Sequence, residues 1–313
     1  MTADYESVLL SEPITFLIGP DKKQFTMHKS VVANLSKSLH QLLNGDMEEA
    51  KKRCVSWDDT DEQTFIRFGQ WAYTGGYKAE GPEVLLDSSQ IATSAQDSLT
   101  VIKQEPTQPT AAIFQNSAQH CGRDWAVGSQ GTPCVTCKTS IVSSYCSSCR
   151  CVRFTHCAKC RKRAVAAPSS PLQSMCTAFA SNAEYAPPTT VRHVPRKNTE
   201  SCEVYTEVFL SHAKLYVLAD KYDIPVLRKL SLHSLYETLV HFTLYQDRIG
   251  DVVSLVRYSF ENTIESDRLR SLLVGYCACF AKELSKGEEF QELMSECPDF
   301  AYGLVKELGR YLN

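Results

Sequence analysis

The chain has 313 residues, 43% of them hydrophobic, which is enough for two domains or for one large domain that carries an insertion. Its formal net charge of −3 gives no overall attraction to nucleic acid. No run of eighteen apolar residues occurs, and the N-terminal residues lack the basic flank and apolar core of a signal peptide, so we expect an intracellular protein of the nucleus or cytoplasm.

The first predicted elements form a β-hairpin. Residues 14–18 (ITFLI) are a short apolar run, and residues 25–28 (FTMH) alternate apolar and polar side chains. The intervening GPDKKQ contains the Gly, Pro and Asp that are typical of a turn. The pattern therefore predicts two strands joined by a turn.

Helix and strand patterns continue to about residue 76. Residues 30–43 place apolar side chains on one helical stripe that ends at Asn44-Gly45, which predicts a single helix. Residues 54–57 are a candidate strand. N-cap candidates at 58–64 and the stop at Gly75-Gly76 frame a further helix.

Composition changes at about Tyr77 and stays changed until about Glu203. This stretch of about 127 residues is rich in Ser, Thr, Ala, Gln and Pro, and it shows no sustained helical or strand period outside a cysteine array. We expect most of it to be disordered. Helical periodicity resumes at Tyr205, and the predicted helices are 205–222, 225–239, 251–262, 266–284, 287–295 and 300–312.

The cysteine array indicates zinc. Ten of the fourteen cysteines lie between Cys121 and Cys202, and in a reducing compartment a disulfide framework is not expected. Two residues between thiolates let one turn present both sulfurs to a tetrahedral metal, and nineteen residues separate the first pair from the third, within the spacing of zinc sites. The predicted ligands form three C-x-x-C pairs with two further donors between them: Cys134/Cys137, Cys146/Cys149 and Cys157/Cys160, with Cys151 and His156.

The pattern leaves the number of zinc ions, one or two, and their ligand pairing open. In one arrangement the first and third pairs form a Cys₄ site, and Cys146, Cys149 and Cys151 form a second site with His156, Cys121 or His120. In the other, the first two pairs share one ion and the third recruits Cys151 or His156. A site with four protein ligands leaves no position for water, so either arrangement predicts a structural role.

The array is also basic, because seven Lys and Arg residues and no acidic residue lie between Cys134 and Arg163. Four thiolates on each zinc offset part of this charge, so a solvated basic face is expected, with nucleic-acid binding as an alternative. The candidate phosphate contacts are Arg150, Arg153, Lys159, Arg161, Lys162 and Arg163.

One short pattern in the insert predicts a modification site. Residues 101–106 (VIKQEP) match the apolar-Lys-x-Glu pattern that the conjugating enzyme for the small modifier SUMO recognises in extended peptides. Lys103 would be the acceptor.

Catalytic signatures are absent from the sequence. It contains no G-x-S-x-G, no H-E-x-x-H and no glycine-rich phosphate loop. His212, His233 and His241 lie on predicted helix faces without paired carboxylates, and Cys277 and Cys279 lie in an apolar helix. We therefore expect packing roles for these residues and a protein that is not an enzyme.

Two stretches of the chain resemble the BTB/POZ domain. In the first, the hairpin runs into FTMHKSVVANLSKSLHQLL, with the pair His28-Lys29, and a helix closes on WAYTGGY. In the second, residues 207–239, which contain LSHAKLYVLADKYDIPVLRKLSLHSL, are similar to the paired helices that follow the family's YTG turn. The layout is most similar to BTB proteins of filamentous fungi, which often carry a cysteine-bearing insert and a helical C-terminal extension.

The chain departs from the family pattern at two places besides the insert. Glu12-Pro13 stands where the first strand usually begins with an acidic residue, and Leu39 stands where an aromatic is usual. These positions contribute to the family's dimer interface or core, so homodimerisation stays open.

The resemblance implies an α+β fold in five segments. They are an N-terminal tail at 1–11, the first part of the BTB-like domain at 12–76, the insert at 77–203 with its zinc-binding-like module at 134–163, the second part at 204–245, and a helical extension at 246–313. The function it implies is protein binding, as a substrate adaptor in a cullin-type ubiquitin ligase complex. The alternative is a nuclear, transcription-related factor whose basic zinc module contacts nucleic acid. Neither reading involves a membrane.

Overall fold

A computed structural model describes residues 5–46, 48–85, 125–133, 140–146, 152–157, 171–186 and 195–312. The described chain is a mixed α and β structure, mostly helical, with three small sheets. Its strands are β1 Pro13–Ile18, β2 Lys23–His28, β3 Cys54–Trp57, β4 Glu83–Val84, β5 Trp125–Pro133, β6 Ser140–Cys146, β7 Val152–Cys157 and β8 Glu203–Val204.

Its helices are α1 Tyr5–Leu9, α2 Lys29–Ala33, α3 Lys37–Asn44, α4 Glu48–Lys52, α5 Glu62–Thr74, α6 Pro171–Ala180, α7 Thr206–Lys221, α8 Pro225–His241, α9 Ile249–Asn262, α10 Arg268–Cys279, α11 Ala281–Leu284, α12 Glu288–Glu296 and α13 Pro298–Leu312.

The first sheet has the order β2-β1-β3. β1 and β2 form the predicted antiparallel hairpin, with Pro13 opposite His28 and Ile18 opposite Lys23. The turn begins at Gly19, whose φ of 69° is in the left-handed region that glycine adopts without strain. β3 is parallel to β1, and the long connection that a parallel pair needs consists of β2 and helices α2 to α4.

The helix predicted at 30–43 is divided in two, and this corrects the sequence interpretation. α2 ends at Ala33, and α3 begins after Ser36, whose hydroxyl accepts a hydrogen bond from the Leu39 N–H at 3.1 Å. The same hydroxyl donates to the Tyr222 carbonyl at 2.6 Å. Apolar periodicity continues through the break, but the cap and this long-range hydrogen bond stabilise the interruption.

α5 begins and ends as its sequence predicts. Asp61 is the N-cap, and its carboxylate accepts from the Thr64 N–H at 2.9 Å. Gly75 follows the last turn with φ of 76°, the left-handed conformation that is common after helix C-termini. The N-cap hydrogen bonds outweigh the effect of burial and hold the pKa of the Asp61 carboxyl below its usual value.

Helices α7 and α8 contribute to two hydrophobic cores. One face of the helix pair packs on the first sheet and α5, and we call this cluster the N-terminal core. It includes Leu215, Leu218, Ala219, Ile224, Leu227 and Leu230. The other packs on the C-terminal helices, and this C-terminal core includes Val208, Phe209, Tyr216, Leu235, Tyr236 and Leu239. Trp57 and Tyr222 stack at 4.2 Å between ring centroids and add to the first contact. The segments predicted separately from the sequence, residues 204–245 and the helical extension at 246–313, therefore share one continuous core.

α7 is capped from another helix. Its own N-cap residue, Tyr205, makes no side-chain cap hydrogen bond. The buried carboxylate of Asp251, in α9, instead accepts from the Tyr205 N–H and the Thr206 hydroxyl, both at 2.8 Å. Burial nevertheless keeps the pKa of Asp251 above its usual value.

The predicted C-terminal helices are confirmed, with one split at Phe280 between α10 and α11. In the flanks of the cysteine array, which the sequence predicts to be disordered, the structure describes strands β4 and β5 and helix α6, and this corrects the prediction there. Strands β5 to β7 form an antiparallel sheet, and α6 is a regular helix followed by a 3₁₀ turn at Ala183–Tyr185. For residues 86–124, 164–170 and 187–194 the prediction of disorder lies outside the described residues.

Candidate interaction surface and metal module

We call the chain on either side of the insert, residues 1–76 and 204–313, the host. The insert leaves and re-enters the host through a short antiparallel ribbon, which we call the stalk. β4 and β8 form it, with Glu83 opposite Val204 and Val84 opposite Glu203. The Leu85 N–H donates to the Cys202 carbonyl at 3.0 Å and extends the pairing. The two ends of the insert are thus held side by side, so a long loop can be added without opening the host.

Glu203 anchors the stalk. Its buried carboxylate accepts from the Thr199 N–H at 2.8 Å and the Thr199 hydroxyl at 3.1 Å, and it pairs with Arg196 at 2.5 Å. Burial alone would raise the pKa of this carboxyl, but the Thr199 hydrogen bonds and the Arg196 guanidinium hold it below its usual value.

A cavity of about 1100 Å³ lies beside the stalk, between α5, α7 and α8. Its polar lining is engaged internally: the Tyr77 hydroxyl lies 2.6 Å from His212 Nδ1, and the Thr238 hydroxyl lies 3.4 Å from His212 Nε2. The buried guanidinium of Arg67 pairs with Glu80. These contacts join the base of the insert to both parts of the host.

Each of the three histidines singled out from the sequence has a ring nitrogen within hydrogen-bond distance of a neighbouring group in the fold. His212 is fully buried in the network above. His233 is buried, with Nδ1 2.7 Å from the Tyr185 carbonyl, and His241 Nδ1 lies 2.8 Å from the Glu237 carbonyl. Cys277 and Cys279 are both fully buried, and burial raises the pKa of the Cys277 thiol.

The helix pair α7–α8 is exposed chiefly at its turn. From Leu230 to Leu239, α8 is buried at all positions except the partly exposed Glu237. Around the turn, in contrast, Val226 exposes 60% of its surface, and Asp223 has a positive φ of 51°. We call this exposed surface the α7–α8 tip, and it comprises Asp220, Lys221, Asp223, Pro225, Val226 and Lys229.

In the sequence, the interruption at Asp223-Ile224-Pro225 marks the tip. Lys221 ties it to the loop after β3 through an ion pair with Asp59 at 2.6 Å. Arg228 pairs with Asp220 across the turn. The tip is therefore a surface on which one exposed apolar residue, Val226, lies among charged residues.

The C-terminal part of the insert that the structure describes, residues 171–186, packs against the host, and we call it the distal part. Met175, Cys176 and Phe179 of α6 are buried in the C-terminal core. The Tyr236 hydroxyl, on α8, donates to the carbonyls of Phe179 and Ala180 at 3.1 and 2.8 Å. Sequence periodicity missed this helix because only ten residues carry it.

The structure places three of the predicted zinc ligands on strands. Cys146 ends β6, Cys157 ends β7, and His156 precedes Cys157. Cys134, Cys137, Cys149, Cys151 and Cys160 lie outside the described residues. Within the part of the chain that the structure describes, no three His, Cys, Asp or Glu side chains are grouped to hold a metal.

The remaining sequence-predicted sites fall mostly beyond the described ranges. Arg153 lies in β7. The other candidate phosphate contacts, Arg150, Lys159, Arg161, Lys162 and Arg163, lie outside the described residues, as does Lys103.

No helix among the described residues is long and apolar enough to cross a membrane. Comparisons of the chain with protein-family models, with curated proteins and with solved structures find no match.

Proposed function

We propose that this chain is a non-catalytic protein-interaction module of the BTB/POZ type that serves as a substrate adaptor for a cullin-type ubiquitin ligase. The observation that carries the proposal is the α7–α8 pair, which joins two cores and presents an ordered, partly apolar tip to solvent. The sheet order β2-β1-β3, with its antiparallel hairpin and parallel third strand, supports the resemblance on which the proposal rests.

The surroundings of the reactive side chains support binding over chemistry. The buried histidines bond to neutral partners within the fold, and the buried cysteines of α10 lie in an apolar core. Catalytic acids, bases and nucleophiles need access to a substrate.

We propose further that the cysteine array binds structural zinc. The sheet formed by β5 to β7 has only three short strands, and so small a sheet needs a further source of stability. Tetrahedral zinc sites supply such stability directly, because a module of this size gains its folding free energy from the metal.

The α7–α8 tip and the insert module then have different roles. The α7–α8 tip contacts the ligase, because it belongs to the rigid host. The insert module, attached through the stalk, contacts the client protein. Since both stalk strands are anchored in the host, a client held there keeps a fixed attachment point relative to the tip.

The experiment compares binding of a purified cullin to the full chain and to two variants by titration calorimetry. Val226→Asp replaces the exposed apolar residue of the tip, and aspartate is favourable in the first turn of a helix, so α8 is retained. Ile264→Asp is the matched control, because Ile264 is also an exposed apolar residue (74%) but lies after α9, outside the tip.

We expect Val226→Asp to weaken cullin binding at least about tenfold, or ~1.4 kcal/mol, and Ile264→Asp to leave it unchanged. Absence of binding by the unmodified chain would overturn the adaptor proposal. Nucleic-acid binding whose affinity falls steeply with salt would favour the alternative reading of the basic array.

A further inference from the structure

One face of α5 forms a wall of the cavity beside the stalk. Residues that are three, four and seven positions apart on a helix lie on the same face. On this side the cavity is lined by Gln63, Ile66, Arg67, Gln70 and Thr74. The wall contributed by α7 and α8 includes the apolar residues Val208 and Leu230. The cavity is therefore a groove between helices with both polar and apolar side chains in its lining.

A third wall is the segment that follows α5, residues 76–82, and the fold holds it in place. The Lys78 N–H donates to the side-chain oxygen of Gln70 in α5 at 2.9 Å. The Glu80 N–H donates to the hydroxyl of Ser211 in α7 at 3.4 Å. Because the segment is attached to both helices, the groove is already formed before any ligand enters, as is usual for binding sites.

Arg67 places a buried cation in the lining. Its side chain is only 9% exposed, and its Nη2 pairs with the Glu80 carboxylate, whose side chain is 46% exposed. Among the described residues Glu80 is the one hydrogen-bonding partner of this guanidinium, so Nε and Nη1 are left for a further acceptor. A carboxylate gains more from a buried guanidinium than from an exposed one, because less water competes for the donors.

The charges around the groove favour an anionic ligand. The cations in the lining are Arg67, Lys78 and Arg196. Arg196 is engaged by Glu203 at 2.5 Å, whereas Lys78 is exposed and makes no ion pair with a described residue. Three cations thus face the two carboxylates of Glu80 and Glu203. This small excess suits a carboxylate of a peptide better than the closely spaced phosphates of a nucleic acid, which need several cations.

Size and apolar contact favour a peptide over a small molecule. The volume of about 1100 Å³ exceeds the roughly 300–1,000 Å³ that is usual for small-molecule sites. Ile66 is next to Arg67 in the chain and is 41% exposed. A Glu or Asp of an extended peptide can therefore pair with Arg67 while a neighbouring apolar side chain covers Ile66.

We infer that the cavity beside the stalk binds an extended acidic peptide segment of a partner protein. Arg67 and Lys78 hold a carboxylate of the peptide, Ile66 contacts an adjacent apolar side chain, and Glu80 competes with the peptide for the Arg67 guanidinium. The cavity shares no residue with the α7–α8 tip. The inference goes beyond the adaptor proposal and does not depend on it.

The test starts with a library of short random peptides displayed on phage, from which the full chain selects its ligands. The recovered peptides are then synthesised with a fluorescein label, and their affinity is measured by fluorescence anisotropy. We expect sequences in which Asp or Glu lies next to Leu, Ile or Val. Recovery of no peptide, or of peptides without acidic residues, would overturn the inference.

Variants of exposed residues then locate the site, since a change of the buried Arg67 would also destabilise the fold. Lys78→Glu should weaken binding of the selected peptide at least about tenfold, because a carboxylate then faces the carboxylate of the ligand. Glu80→Gln should strengthen binding about threefold, because it removes the competing charge from Arg67. Lys286→Glu is the matched control and should have no effect, because Lys286 is an exposed lysine before α12, outside the cavity.

The remaining outcomes separate this inference from the adaptor proposal and from other occupants of the cavity. Val226→Asp at the tip should leave peptide binding unchanged, so the two proposals fail independently. Equal weakening by Lys78→Glu and Lys286→Glu would overturn the inference, as would displacement of the peptide by an equal concentration of a single-stranded oligonucleotide. A dimer of the chain that Lys78→Glu dissociates would place a second copy in the cavity and would also overturn it.

Discussion

The two parts of the insert differ in what stabilises them. The β5–β7 sheet combines short strands with an array of seven cysteines, whereas the distal part buries Met175, Phe179 and Tyr185 in the C-terminal core of the host. We propose metal for the first and observe hydrophobic packing for the second. The comparison shows that an insertion continuous in sequence can be half an added module and half a structural part of its host.

The largest effect on the distal part is expected from Phe179→Ala. Phe179 is 8% exposed and packs against Tyr236 and Tyr276, with ring centroids 5.6 and 6.1 Å away. Removing the ring should lower the free energy of unfolding by about 3–5 kcal/mol. Urea unfolding of the full chain measures the change.

Leu172→Ala is the control for this prediction, because Leu172 is on the same helix but 42% exposed. It should change stability by about 0.5 kcal/mol or less. Equal effects of the two substitutions would show that α6 does not depend on burial in the core.

A smaller loss is expected from Asn198→Ala. The fully buried amide of Asn198 donates to the Thr243 carbonyl at 2.8 Å and accepts from the Thr243 N–H at 2.6 Å. Alanine would leave both backbone groups buried without these partners, at a cost of about 2–4 kcal/mol. Asn262→Ala removes an exposed side chain and should be nearly neutral in the same urea measurement. A neutral Asn198→Ala would mean that the segment before the stalk is not fixed by this pair.

The stalk should respond to pH through Glu203. Because its folded-state pKa lies below the ordinary value of 4.5, ionised Glu203 stabilises the folded state above that pH, and the contribution is lost as pH falls through the folded pKa. Glu203→Gln should cost about 1.5 kcal/mol at pH 7.

Thermal unfolding of the chain and of Glu203→Gln between pH 7 and pH 3 measures this dependence. The two curves should converge toward low pH. The exposed Glu207→Gln serves as the control and should run parallel to the unmodified chain. A Glu203→Gln difference that stays constant over the whole range would exclude the carboxylate as its source.

The smallest effect concerns the thiols of the host. Burial of Cys277 and Cys279 should protect them from maleimide in the folded chain, while the half-buried Cys54 and Cys297 react slowly. Mass spectrometry after labelling, with and without denaturant, measures the modified fraction at each position. Rapid labelling of Cys277 in the native chain would indicate that the C-terminal core opens.

Much of the host could be predicted because its signals are local. The hairpin, β3, α5 and the C-terminal helices follow from alternation, helical stripes, the Asp61 cap and the Gly75 stop. In each case the residues that specify the element lie within it or next to it.

The features that the sequence did not predict depend on distant contacts. The break at Ser36 is stabilised by the Tyr222 carbonyl. The α6 helix has only ten residues and acquires its apolar partners from α8 and α10. The cysteine spacing predicts zinc and leaves the ligand pairing open, because five of the eight predicted ligands lie outside the described residues.

The most direct test of the difference between the two parts is hydrogen exchange of the full chain, measured by mass spectrometry before and after addition of a zinc chelator. We expect exchange in β5 to β7 to rise to that of an unfolded chain, while exchange in residues 171–186 and in α7 to α13 stays unchanged. A simultaneous rise in residues 171–186, or no change in β5 to β7, would contradict the account.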